Sequence, residues 1–203
     1  MAVVNTAEAP SIAPRVLVDR LIPGDGLLWD VVRIATANLL LVACAQIALP
    51  LPWTPVPITG QTFGVMLVAA LLGARRSAIA LGLYLLEGAA GLPVFQPFGL
   101  PGAARLLGPT AGYLWAFPVA GYVTGWLIER GEDRGLVRLA SSFIAGQSLI
   151  LVGGCAWLAV LNGLDIRAAL AAGALPFAPG ELIKISLAMA AVRAIGKAAR
   201  PSK

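Results

Sequence analysis

Histidine is absent from this 203-residue chain, and its two cysteines, Cys44 and Cys155, both lie inside apolar runs with no C-x-x-C spacing. These shortages remove HExxH and His/Cys zinc sites, Ser-His catalysis and a disulfide framework, and leave the cysteines as packing residues. No G-x-x-x-x-G-K-[ST] occurs: "GPTAGY", Gly108 to Tyr113, resembles a phosphate loop but no Lys-Ser/Thr follows it, so a Walker nucleotide site is excluded. No G-x-S-x-G and no convincing nucleophile-base pair is present, so the expectation is a protein that is not an enzyme, with no cofactor or metal of its own. Charge is scarce too, at 12% of residues, while 59% are hydrophobic and the mean hydropathy is +0.85, which places the chain in the polytopic membrane class. The net charge of +5 would point to nucleic acid in a soluble chain, but here its distribution explains it better.

Six apolar segments can be read at about 30–49, 60–74, 76–91, 109–129, 137–161 and 178–197, close to the 20 or so residues that a span needs, the second and third being short. They predict an all-α integral membrane protein with one six-helix domain over 30–197, a tail over 1–29 and another over 198–203. The start carries Arg15, Asp19, Arg20 and Asp25 without a continuous apolar h-region and does not read as a cleaved signal peptide. Arg15, Arg20 and Arg33 precede the first span, Arg75 and Arg76 separate the second from the third, Arg130, Arg134 and Arg138 the fourth from the fifth, and Arg193, Lys197, Arg200 and Lys203 close the sixth. The opposite connections hold only Arg105 and Arg167, with Lys184 just inside the last span. The positive-inside rule then puts both termini in the cytoplasm.

The connections on the other side, "PLPWTPVPIT" (Pro50 to Thr59) and "GLPVFQPFGLPGAARLLGPT" (Gly91 to Thr110), are rich in Pro, Gly and aromatics and poor in charge. Non-helical backbone at membrane depth is tolerated where it packs on protein or covers a cavity, so these read as lids, with Trp53, Pro55 and Pro57 in the first. Loops at the headgroup level with Trp53 and Phe98 as belt aromatics are the other reading.

Glu181 and Lys184, in "PFAPGELIK", are three residues apart and share one helix face. A charge at mid-bilayer costs about 2.5 to 3.5 kcal/mol on insertion scales, less near the interface, where the preceding Pro-Gly puts this pair. Two readings are open: an ion pair that neutralises itself, or a pocket in which the ammonium meets an anionic ligand group and the carboxylate accepts from ligand N–H groups. Glu87 is the other acid inside a span, either a pocket acid, a partner for Arg105 or Lys184, or an interface residue. Gln96, Phe95 and Tyr113 are further pocket candidates, and Asn38 and Gln46 are neutral polar groups on the first helix. Gly60-x-x-x-Gly64 and Gly121-x-x-x-Gly125 are spacings for close helix approach, and Cys44-x-x-x-Ala48 makes a smooth patch on the first helix.

The succession "PLPWTPVPITGQTFGVMLVAALLGARRSAIALGLYLLEGAAGLPVFQ", "LLGPTAGYLWAFP" and "LPFAPGELIK", spanning about Leu49 to Lys184, resembles the BioY family, the biotin-binding S component of energy-coupling factor (ECF) transporters. The resemblance implies the six-helix S-component fold in a bacterial cell membrane, capture of biotin from outside, and delivery through a membrane T component and a pair of cytoplasmic ABC-type ATPases that use the ATP. It implies that Lys184 faces the valerate carboxylate and Glu181 the ureido ring, that Gln96 contributes to the ureido contact, that Pro50 to Thr59 covers the site, and that the patch at Cys44 and Ala48 docks on the T component. The family usually has Asp at the position of Glu181, and Glu87 stands where an apolar residue is expected. The rival is a proton-coupled secondary transporter of a small carboxylate-bearing solute, with Glu87 or Glu181 titrating.

Overall fold

The structure, a computed structural model, describes residues 16–130 and 135–199. Arg15, Arg134, Arg200 and Lys203, with most of both expected tails, lie outside the described residues. Among the described residues seven α-helices run α1 (Val18–Leu21), α2 (Leu27–Gln46), α3 (Gln61–Ala89), α4 (Ala111–Glu129), α5 (Leu136–Asn162), α6 (Ile166–Gly173) and α7 (Ala178–Ala198). Between α2 and α3 a two-stranded antiparallel ribbon, β1 (Ala48–Leu49) and β2 (Ile58–Thr59), pairs Ala48 with Thr59 and Leu49 with Ile58, and a 3-10 helix at Gly102–Leu107 precedes α4. α2, α3 and α5 are each long and apolar enough to cross a membrane, and α6 with α7 qualify as a pair bent by 51° at the break between them.

α3 is not one rod. Gly73 has φ +74° and ψ −169°, a left-handed-side conformation that only glycine adopts without strain. Gln61 Nε2 donates to Tyr84 Oη at 2.8 Å although 23 residues separate them. A straight helix of that length would hold the two about 34 Å apart. The halves on either side of Gly73 therefore fold back on each other as a hairpin. The expected break at Arg75-Arg76 lies two residues earlier than read, because glycine and not the charge pair permits the turn.

α4 packs against both α3 and α5, α2 lies on α3, and α7 closes the bundle against α3 and α5. Two contiguous apolar clusters fill it, one around Leu41, Leu81, Tyr84, Phe117 and Ile150, the other around Met66, Phe143, Ile185 and Ala188. Glycine makes close approach available: Gly64 faces Leu41 and Cys44 of α2, and Gly125 lies against the backbone of Gly73 and Ala74.

Three expectations are corrected. The start is not a free polar tail throughout, since Leu17 and Val18 are buried at 2% and 5% exposure against the bundle. α2 ends at Gln46, so Ala48 is in β1 and not one turn along the helix from Cys44; Cys44 itself is buried against Gly64, and the pair forms no exposed patch. The stretch 162–177, read as connection, contains α6, whose N-cap Asp165 accepts from Ala168 N–H at 2.8 Å.

Candidate functional site

The helix starts of α3, α4 and α7 converge with the ribbon and the loop before α4 around one narrow cavity of about 50 Å³. Its wall is mainly apolar, with Phe95, Leu114, Phe117, Ile150, Leu151 and Phe177. Val56, Pro57, Ile58 and Thr59 come from the loop and ribbon above it. That loop is tied down: Thr54 Oγ1 donates to the carbonyl of Ala172 in α6 at 2.8 Å.

At one side of the cavity lies the acid-lysine pair. α7 starts with Pro179 in its first turn, so Glu181 and Lys184 are presented at helical spacing from its first two turns. Lys184 Nζ is 2.7 Å from Glu181 Oε1 and donates to Thr62 Oγ1 at 3.0 Å, while Thr62 donates in turn to Glu181 Oε2 at 2.8 Å. The lysine and glutamate side chains are 15% and 8% exposed, so this triangle sits in a low-dielectric setting where its hydrogen bonds are strong and an unpaired charge is costly. The two side chains form an ion pair with each other, and both line the cavity.

The other side is built from the loop before α4. Arg105 is 6% exposed and lines the cavity. Its Nε donates to Leu100 O at 2.7 Å, Nη1 to Phe98 O, and Nη2 to Gln96 O at 3.2 Å. These are neutral carbonyls, and no carboxylate among the described residues is within 4 Å, so the guanidinium charge is hydrogen-bonded but not neutralised. Burial lowers its pKa from the ordinary value, and arginine remains protonated in proteins nonetheless.

The other expected residues divide. Phe95 lines the cavity, its ring edge-on to Tyr84 at 5.3 Å between centroids, and Tyr84 in turn holds Gln61. Gln96 also lines it, but its amide is closed on its own loop, donating to Phe98 O and accepting from Phe98 N at 2.7 Å. Tyr113 lines it with its hydroxyl donating to Gly173 O at 2.7 Å, a tether between α4 and α6. Of the lid trio only Pro57 reaches the cavity; Trp53 is 68% exposed and Pro55 is exposed, because the loop turns both outward. Glu87 is half-buried and does not line it. Asn38 and Gln46 serve as links between elements, donating to Ala80 O and Phe95 O, each at 3.3 Å.

Sequence reasoning overlooked Thr62, Gln61, Gln147 and the inward role of Arg105. Gln147, on α5, lines the cavity at 4% exposure. Each is a polar group within a largely apolar stretch, and nothing in one dimension said which of these groups would meet at one point.

Among the described residues, three ionisable side chains besides tyrosine line the cavity: Arg105, Lys184 and Glu181. Two cations against one acid leave a net charge of one positive in an apolar chamber. Such a chamber is matched to a small monoanion with an apolar body, and it would reject a ligand that leaves the extra cation unpaired.

Comparison with known proteins gives the same direction. A model of the BioY family matches residues 17–201. A biotin transporter BioY of Rhizobium etli is 38% identical over 174 residues, covering 82% of this chain and 92% of its own length. A biotin transporter BioY of Thermotoga maritima is 41% identical over 151 residues, 73% of this chain and 85% of the relative. Among solved structures, the S-component for biotin from an ECF-type ABC transporter superposes with a TM-score of 0.76 at 26% identity, over 84% of this chain and 92% of that one.

Proposed function

The chain belongs to the BioY family, and from that premise we propose that it is the substrate-capture subunit of an ECF-type transporter, binding biotin in the cavity under the ribbon. The observation that carries this reading is the net positive charge of the cavity, which complements the single carboxylate of biotin, set in an apolar wall that suits its bicyclic body. In this reading the chain crosses a bacterial cell membrane six times, the two halves of α3 counting separately, with both termini in the cytoplasm and the cavity facing outward. Delivery inward is driven by ATP on partner ATPases and coupled through a membrane T component.

Lys184 approaches the valerate carboxylate and Glu181 accepts from a ureido N–H, with Phe95 and Tyr113 on the wall and Gln96 bracing its loop. Because Lys184 is already paired with Glu181 at 2.7 Å, a bound carboxylate shares that ammonium, and Arg105 supplies the second positive charge that the arrangement then needs. Calorimetric titration of the detergent-purified protein with biotin, dethiobiotin and biotin methyl ester tests the reading, alongside Lys184→Ala and Arg105→Ala. Each variant is expected to weaken biotin by about 10- to 100-fold and the ester by much less. Loss of equal size for acid and ester removes both cations from the carboxylate contact, and absence of binding by folded wild-type protein overturns the function.

A further inference from the structure

Gln147 is the odd group in the cavity. Its Nε2 and Oε1 are both buried and neither has a hydrogen-bond partner; among the described residues no other buried side-chain nitrogen or oxygen is left so. Neighbouring amides are satisfied: Gln61 holds Tyr84, and Gln96 is closed on Phe98. An unsatisfied buried polar group costs about 1 to 3 kcal/mol, so an amide with both ends open is a standing expense that a leucine at the same place would avoid. Its place is away from the ribbon, for the adjacent Gly146 packs against Ala120 and Thr124, two to three turns along α4 from the cavity-lining Tyr113.

A carboxamide presents a donor and an acceptor side by side on one plane. The group that satisfies both at once presents an N–H beside a C=O. A carboxylate cannot, having no donor, and a thioether cannot. Building on the proposed capture of biotin, the ureido ring is the part of that ligand with this edge. We infer that Gln147 is a specificity-determining residue that pairs with the ureido edge, Oε1 accepting from one ring N–H and Nε2 donating to the ring carbonyl. Glu181 is acceptor-only when ionised and takes the N–H on the other side, so the two residues divide the ring between them. The open amide is thereby explained: its partners arrive with the ligand, and a ligand without the ureido edge leaves it orphaned in an apolar chamber.

The test uses the full chain in detergent, with biotin and 2-iminobiotin as probes, the latter carrying a guanidinium in place of the urea and so a donor where biotin has its carbonyl oxygen. Gln147→Leu is expected to melt at the same temperature as wild type or higher without ligand, to bind biotin about 10- to 100-fold more weakly, and to lose clearly less affinity for 2-iminobiotin, which never made the carbonyl contact. Gln147→Glu, acceptor-only, is expected to shift preference further toward 2-iminobiotin. Gln147→Leu with biotin affinity within about twofold of wild type, or with equal losses for the two probes, overturns the assignment whatever happens to stability. If wild type itself fails to bind biotin, the functional reading fails and takes this one with it, whereas tight wild-type binding with an indifferent Gln147 removes this residue alone.

Discussion

Charged side chains gather at two places in the molecule, and the fold treats them differently. At the end of the bundle marked by the Gly73 turn, Asp19 and Asp30 face Arg33 and Arg76, with Arg76 at 2.7 Å from Asp19 and 2.8 Å from Asp30, and Arg33 at 2.9 Å from Asp30. Arg33 also donates to the carbonyls of Ile22 and Gly24. Nearby, Glu129 Oε1 accepts from Ala74 N–H at 3.0 Å, and Arg130 stacks over Trp126 at 4.0 Å. Two acids balance two cations, and the group straps the segment before α2 onto α3. At the cavity end one acid faces two cations, one amide has no partner, and the guanidinium of Arg105 rests on neutral carbonyls. Saturated charge holds this fold together; unsaturated charge and hydrogen bonding mark where something else is meant to sit.

The first way to break that contrast is at the saturated end. Arg33 is 4% exposed, and removing it takes one of the two cations from Asp19 and Asp30, leaving them Arg76 alone, and leaves the carbonyls of Ile22 and Gly24 without this donor. Since the aspartates are partly exposed, the loss belongs near the low end for buried pairs, about 3 kcal/mol. Arg33→Ala should therefore lower the thermal midpoint in detergent strongly while the remaining folded protein keeps its biotin affinity within about twofold. An affinity that falls in step with stability would mean the two ends are coupled. Next in size, Glu181→Gln should lower affinity for biotin by about 10- to 30-fold through loss of a charge-assisted acceptor, and lower the thermal midpoint as well, since it leaves the buried ammonium of Lys184 without its counter-charge. Thr62→Val follows. It removes the hydroxyl that links Lys184 to Glu181, leaves the pair itself in contact, and should weaken binding by about fivefold; no change would mean that the ion pair orients itself without the bridge.

Much of the architecture could be read along the chain because hydropathy is a long-range average: the apolar runs became helices, and the polar or Pro-rich gaps became turns. Gly73 illustrates the limit of that reading. The charges at Arg75 and Arg76 announced a break, but the turn needs a positive φ, so it falls on the glycine before them. Cys44 and Ala48 failed for a related reason. A spacing of four residues has meaning only while the helix continues, and α2 stops at Gln46, where the chain enters the ribbon. In the cavity, the acid and lysine were legible because charge inside an apolar run is rare. Gln147 was not, since a neutral amide in a helix has many innocent uses: Asn38 and Gln46 spend theirs on neighbouring carbonyls, and only the three-dimensional inventory of partners separates them from Gln147.

The smallest expected effect belongs to Glu87, and it bears on the rival reading. A carboxylate in an apolar helix is the natural candidate for a titrating group in a proton-coupled carrier, yet this one lies outside the cavity, half-buried, with no cation within 4 Å among the described residues. A group that couples proton to solute must sense the solute, through contact or a shared counter-ion, and Glu87 has neither. Glu87→Gln should leave biotin affinity within about twofold of wild type, and uptake by the assembled transporter in proteoliposomes should keep its rate and its dependence on ATP. Uptake that collapses in this variant while binding persists, and that in wild type follows a proton gradient at constant ATP, would favour the proton-coupled carrier over the proposed ATP-driven reading. The contrast between a saturated and an unsaturated end would then have missed a third place where charge does chemistry.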